Sequence, residues 1–346
     1  MSGVGPSEAR QLEFLSSVQR LLDEGQFTAT YKFALLAALV DIAVERGRDD
    51  DERLPVPLLA IGEKFVEFFW NHTRPYRGVE PLYQNKGRNI ALLSLLTHAQ
   101  AGGATTLAAV RKSAGWPRLL EQAARQVKSM PLFKLQTLRG GVKHCFLYDE
   151  SLQEGAICLL PGVGFCLRRF ASFVRSLARS GWLREVRGNA RNAYAIGETD
   201  SLEEFLFGTE RVALGAAREI LLPMQAGRCF YCGARIGTAA HVDHFVPFAL
   251  YPGSLAHNLV VAHAECNTDK SDLLADLPYL DRWRERNLRF GDELGAAMAE
   301  RGVTGSLQAA EGVARWAYGR ARAAGALLWV GRREVRPFPR VAALPF

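Results

Sequence analysis

Long apolar runs separated by short polar breaks dominate the first hundred residues, which read as helices. Tyr31 to Arg46, YKFALLAALVDIAVER, is apolar nearly all round; Thr30 is placed to cap it and Gly47 to stop it, which predicts a buried helix. Asp49, Asp50, Asp51 and Glu52 then read as a solvated turn. A second helix is expected after two prolines, with Ile61, Phe65, Phe68 and Phe69 on its packed face. Between residues 71 and 88 the periodicity breaks, and Arg74, Arg77, Lys86 and Arg88 interleave with Tyr76 and Tyr83. That stretch fits a polar surface loop or a track for a nucleic-acid strand.

Further on, GVKHCFLY and AICLL read as strands of a hairpin closed across DESLQEG. A helix from about Phe165 to Arg179 follows, with Leu167, Phe170, Val174 and Leu177 marking its buried face. Arg168, Arg175 and Arg179 fall at i, i+7 and i+11, nearly one line on a helix, and form either a nucleic-acid-binding stripe or a solvated face. Beyond residue 275 two more helical patterns appear, LPYLDRWRERNLRFGDELGAAMAER and SLQAAEGVARWAYGRARAA. The pattern as a whole predicts a mainly α protein with a short β-hairpin.

Bulk properties narrow this picture only moderately. A chain of 346 residues has room for about two domains. The formal charge of +7 leans toward a polyanionic partner such as nucleic acid, and residues 111 to 195 alone hold 15 Lys or Arg against five Asp or Glu. The opening MSGVGPSEARQLEF carries acids and no apolar core, so no secretory leader is expected. The longest apolar run, FALLAALVDIAV, includes Asp41 and is too short for a bilayer. A soluble, cytoplasmic protein with no membrane partner is expected. Six cysteines are too few for a disulfide scaffold, and Cys145, Cys158 and Cys166 sit among apolar residues as inert thiols would.

The remaining cysteines belong to the stretch CFYCGARIGTAAHVDHFVPFALYPGSLAHNLVVAHAECNTDKSD. Cys229 and Cys232 form one C-x-x-C knuckle, and His263 with Cys266 repeats the spacing about thirty residues later. Two such pairs match a closed tetrahedral structural zinc site, whereas a redox C-x-x-C would leave His263 and Cys266 unexplained. Around these ligands stand Asp243, His244, Asn258 and Asn267, none of which a structural zinc requires.

With the zinc pairs and the polar set interlocked, residues 229 to 272 resemble the HNH endonuclease family, also called ββα-metal or His-Me finger nucleases. His263 stands where the family's usual second knuckle has cysteine, and histidine is an ordinary zinc donor. The resemblance implies a small α+β (ββα-metal) zinc-stabilised nuclease module over 206–278. It would follow a mostly helical region over 1–205, nucleic-acid-binding or regulatory, and precede a C-terminal helical extension over 279–346. It implies His244 as general base, Asp243 and Asn267 as ligands of a catalytic Mg²⁺ or Mn²⁺, and Asn258 as the brace of the loop holding the histidine. An imidazole suits proton removal from water near neutral pH, and a hard cation suits the charge that builds on a phosphoryl group.

Adjacent strand residues point to opposite faces, so the strand carrying Asp243 and His244 must end, bend or bulge there. Asn267 would then lie in the first turn of a helix starting near Cys266, and Lys270 reads as a phosphate contact or a solvated lysine. His241 and His257 read as surface histidines. The expected activity is metal-dependent hydrolysis of DNA phosphodiester bonds, with anti-phage defence as a setting and with regulatory partners or self-association. The alternatives are a zinc-stabilised nucleic-acid-binding protein with a non-catalytic module, and a ribonuclease.

Overall fold

The computed structural model describes residues 5–86, 90–104, 106–197, 201–208, 211–237, 239–303, 305–339 and 343–346. Arg88, one cation of the expected nucleic-acid track, lies outside them. The chain is mainly helical with small sheets and divides into two compact units, Met1–Thr209 and Glu210–Phe346. Among the described residues no helix is long and apolar enough to cross a membrane.

The first unit runs α1 (Glu8–Glu24), α2 (Tyr31–Arg46), β1 (Leu54–Pro57), α3 (Leu58–Phe69), α4 (Ala91–Ala101), α5 (Leu107–Lys112), α6 (Trp116–Ser129) and α7 (Pro131–Lys134). It continues with β2 (Ala156–Leu159), α8 (Val163–Arg169), α9 (Ala171–Arg187) and α10 (Leu202–Phe207). α2 is its axis: every residue from Lys32 to Glu45 is buried, and α3, α7, α8 and α9 pack around it. Its all-round apolarity is why it occupies the centre. α3 packs closely on α6, where an added Cβ on Gly62 would meet the Ala124 backbone nitrogen at 2.9 Å.

Three expectations change here, wholly or in part. Thr30 does not cap α2; its hydroxyl donates to Oε1 of buried Gln84 at 3.0 Å. β2 forms its ladder antiparallel with β1, far upstream, and residues 141–148 meet it only at their end, through the antiparallel bridge Tyr148–Leu159 and the Leu160 N–H on the Leu147 carbonyl. The side chain of fully buried Gln136 holds that stretch from its other side: Oε1 accepts the N–H groups of Phe146 and Leu147, and Nε2 donates to the Tyr148 carbonyl. The single helix expected over 165–179 is two helices broken at Phe170. In the stretch after residue 71, Arg74, Arg77 and Lys86 are exposed as a surface loop requires, while Tyr76 and Gln84 are buried and Asn192 holds both the N–H and the carbonyl of Tyr83.

The second unit contains α11 (Arg211–Met224), β3 (Ala240–His244), β4 (Leu259–His263), α12 (Ala264–Lys270), β5 (Leu274–Ala275), α13 (Leu277–Glu300), α14 (Leu307–Ala324), β6 (Leu327–Gly331) and β7 (Glu334–Pro337). β3 and β4 pair antiparallel, with Asp243 opposite Val260 and His244 opposite Leu259. Leu221 from α11, Leu259 and Val261 from β4, and Leu294 and Met298 from α13 form its core. Residues from 279 onward thus share one unit with 210–278, and their last stretch is a hairpin, β6–β7, rather than helix.

Candidate metal centre and adjoining polar site

Cys229 and Cys232 occupy a tight turn after α11, closed by Cys229 N–H on the Ala234 carbonyl and Gly233 N–H on the Cys229 carbonyl. Gly233, at φ 73°, supplies the left-handed residue this turn needs. His263 ends β4 and Cys266 lies in the first turn of α12, so the β4–α12 junction delivers the second pair. The four ligand atoms lie within 4.8 Å of one another and can hold a metal ion such as zinc.

The surroundings fit that ion. His263 Nε2 donates to the Arg235 carbonyl at 3.0 Å, leaving Nδ1, 3.3 Å from Cys232 Sγ, turned to the cluster. Burial, with Cys229 and Cys232 close by, pushes the Cys266 thiol up to about 12, a crowding that a divalent cation would offset. The other cysteines are unlike one another: Cys166 is buried and its thiol is pushed up to about 11, Cys158 is half-buried, and Cys145 is exposed, contrary to its reading as a buried thiol.

Beside this cluster β3 ends at His244 without a bulge in its pairing. Asp243 and His244 therefore face different neighbours, as the pleat requires. The Asp243 carboxylate is buried; its Oδ2 accepts from the Tyr231 hydroxyl and pairs with Lys270 Nζ at 3.1 Å, the His244 backbone N–H also bonds the carboxylate, and no side chain among the described residues engages Oδ1. Burial raises its pKa, and Lys270 and Tyr231 act in the opposite sense. The half-buried His244 ring places Nε2 3.2 Å from Ser254 Oγ and lies against Phe248. Burial first, and Lys270 second, lower its pKa to about 4, so it is neutral at pH 7.

Asn258 is buried and holds both backbone groups of Val246, accepting its N–H at 2.8 Å and donating to its carbonyl at 2.9 Å; the Asn258 carbonyl also takes the Phe245 N–H. This braces the turn that follows His244. Asn267 is half-buried, and its side-chain amide has no hydrogen-bond partner among the described residues. α12 starts at Ala264, earlier than expected, which moves Asn267 out of the first turn and away from the free N–H groups there. Asn267 and Lys270 are one turn apart on the same face of α12, and Lys270 Nζ reaches both Asp243 and the His244 carbonyl at 3.2 Å.

Three of the four expected nucleic-acid contacts are buried and paired inside the protein. Lys270 is fully buried as the counterion of Asp243. Arg168, 1% exposed, pairs with Asp49 and donates to the Val44 carbonyl near the end of α2. Arg175 is buried on Asp41, and Arg179 is half-buried with its guanidinium 5.1 Å from the Phe207 ring. Arg168 and Arg175 face inward because α2 and the turn after it carry partners for them, while Arg179 keeps part of its surface open. His241 is exposed, but His257 is buried, with Nε2 2.9 Å from the Gly291 carbonyl.

Three neighbours carried no signal in the pattern of spacings. Tyr231 sits between the first two cysteines, Ser254 in a Gly-Ser turn, and Arg286 on α13, where it donates to the carbonyls of His257 and Leu259 at 2.7 Å. An aromatic residue inside a metal knuckle is the one hint that the sequence offered.

Comparison with curated proteins finds no match for the chain. A family model matches more than half of its length and ends before the metal cluster. Over residues 11–205 the match is to "Domain of unknown function (DUF8808)", and the chain belongs to that family.

Proposed function

We propose that the second unit is an HNH-type, ββα-metal endonuclease module that hydrolyses phosphodiester bonds of DNA. The observation that carries the reading is the joint placement of a neutral, half-buried His244 at the end of β3, an Asn258 brace behind it, and α12 packed against both strands beside a Cys₃His cluster. His244 takes a proton from the attacking water through Nδ1, which makes no hydrogen bond among the described residues, while Ser254 fixes the ring at Nε2. A pKa near 4 makes the resting imidazole a weak base, and an anionic phosphate brought beside it favours the protonated form and strengthens it. Asp243 Oδ1, which no side chain among the described residues engages, and the Asn267 amide oxygen fit as ligands of a divalent cation. When bound there, such a cation supplies positive charge against the charge that builds on the phosphoryl group.

The test is digestion of supercoiled plasmid by the zinc-loaded protein with Mg²⁺ or Mn²⁺, beside His244→Ala and a chelator control. Cleavage by wild type that falls at least a hundredfold in His244→Ala is the expected result, in line with the usual weight of a general base. Wild type and variant cutting equally would end the reading, and matched RNA separates a ribonuclease from a deoxyribonuclease. One observation favours a second reading: Asp243 is already paired with the buried Lys270. In a non-catalytic, zinc-stabilised binding module that pair is permanent, and DNA is bound in a steeply salt-dependent way without being cut.

A further inference from the structure

The Asp243 carboxylate is gripped from two sides at the same oxygen. Lys270 brings a charge to Oδ2; Tyr231 brings a neutral donor. The tyrosine is 3% exposed and caged by rings: Trp329 at 5.1 Å and Tyr279 at 5.6 Å, both nearly perpendicular to it, and Phe230 at 5.3 Å. Trp329 belongs to β6 and is itself anchored, its indole Nε1 donating to Asp269 on α12 at 2.9 Å. The same Asp269 oxygen accepts the Arg333 N–H at 2.8 Å in the β6–β7 turn, and Tyr279 donates its hydroxyl to the Val330 carbonyl at 2.8 Å. The contacts close on themselves: α12 through Asp269 to Trp329, to Tyr231, to Asp243, and back to α12 through Lys270.

We infer that Tyr231 is the positioning residue of Asp243, and that the C-terminal hairpin, through Trp329, locks it so that Oδ1 is the oxygen presented to a divalent cation. The inference rests on the nuclease reading above. A hydroxyl on a fixed ring sets the side-chain rotamer without adding positive charge beside the cation. Lys270 alone sets the rotamer less sharply, because an ammonium attracts either carboxylate oxygen through its charge, whereas the single O–H of the tyrosine is aimed at one. Phenylalanine at 231 would keep the aromatic cage and lose only this restraint. Residues after 325 thereby become part of the site, although the nuclease motif ends near residue 272.

The experiment measures Mn²⁺ affinity by electron paramagnetic resonance on the full-length, zinc-loaded protein, independently of DNA cleavage. Wild type, Asp243→Asn, Tyr231→Phe and Trp329→Phe are compared at equal zinc content and equal melting temperature. Asp243→Asn is expected to abolish binding and Tyr231→Phe to weaken it about tenfold, the usual scale for an outer-shell partner of a metal ligand, with Trp329→Phe shifted the same way. In cleavage assays Tyr231→Phe should need more Mn²⁺ for half-maximal rate and recover the wild-type rate at saturation. Wild-type Mn²⁺ affinity in Tyr231→Phe would overturn the inference and leave the nuclease reading standing. No Asp243-dependent Mn²⁺ binding in wild type would overturn both. If Tyr231→Phe fails to hold zinc, Trp329→Phe, remote from the ligands in sequence, decides by the same criterion.

Discussion

Arg175 closes over Asp41 with Nη2 2.6 Å from the carboxylate, and both side chains are about nine-tenths buried. Removing the cation from such a pair strands a buried charge, which costs about 3–5 kcal/mol. Arg175→Met is therefore expected to lower the urea midpoint of the first unit sharply, with Asp41→Asn in the same chain recovering part of the loss. Weaker DNA binding at an unchanged midpoint would instead restore the arginine as a phosphate contact. Arg168 and Lys270 follow the same logic, each internal and each facing a carboxylate. A helical wheel records that Arg168, Arg175 and Arg179 share a line; it carries no information about Asp41, 134 residues away.

α10 is held to the rest of its unit by a polar contact inside an aromatic cluster. The Leu206 carbonyl accepts from His72 Nε2 at 2.9 Å, and the His72 ring, fully buried, lies near Phe69, Trp182 and Phe205. Burial lowers the His72 pKa to about 4, only partly countered by the Leu206 carbonyl. The unfolded chain takes up its proton near pH 6.5 and the folded one only near 4, so protons favour unfolding between those values. Stability from this group is complete above about pH 6.5 and is lost as pH falls toward 4, by roughly 3 kcal/mol at ~1.4 kcal/mol per unit. Thermal melts across that window should show a steeper decline for wild type than for His72→Gln; parallel curves would refute the assignment. Gln136 makes a similar point about elements: an amide buried beneath residues 146–148 takes up backbone groups that a full ladder with β2 would otherwise hold, and leaves that pairing as a single bridge.

Each unit carries its own apolar core, α2 with the helices around it in one and the Leu221, Leu259, Val261, Leu294 and Met298 cluster in the other. A two-stranded pair such as β3–β4 is marginal alone, and a metal at the Cys₃His cluster ties its end to the turn before it and the helix after it. Stripping the metal with a strong chelator should thus open the segment around Cys229 and Cys232 to protease while residues 11–205 stay resistant. Unchanged protection of that segment, with metal content shown to be zero, would contradict a structural role for the ion.

The features that could be read along the chain are those written in a few neighbouring residues. The bounds of α2 follow from its apolar run and Gly47, and the two metal-binding pairs from their spacing, because both depend on contacts within a turn or two. Packing chose the rest. Asp49 and Asp41 found Arg168 and Arg175, β1 found β2, and Tyr231 and Lys270 met around one carboxylate with Trp329 packed on the tyrosine ring, because side chains take whichever partner the folded backbone brings within reach. That choice is made across tens or hundreds of residues, where local periodicity holds no record of it.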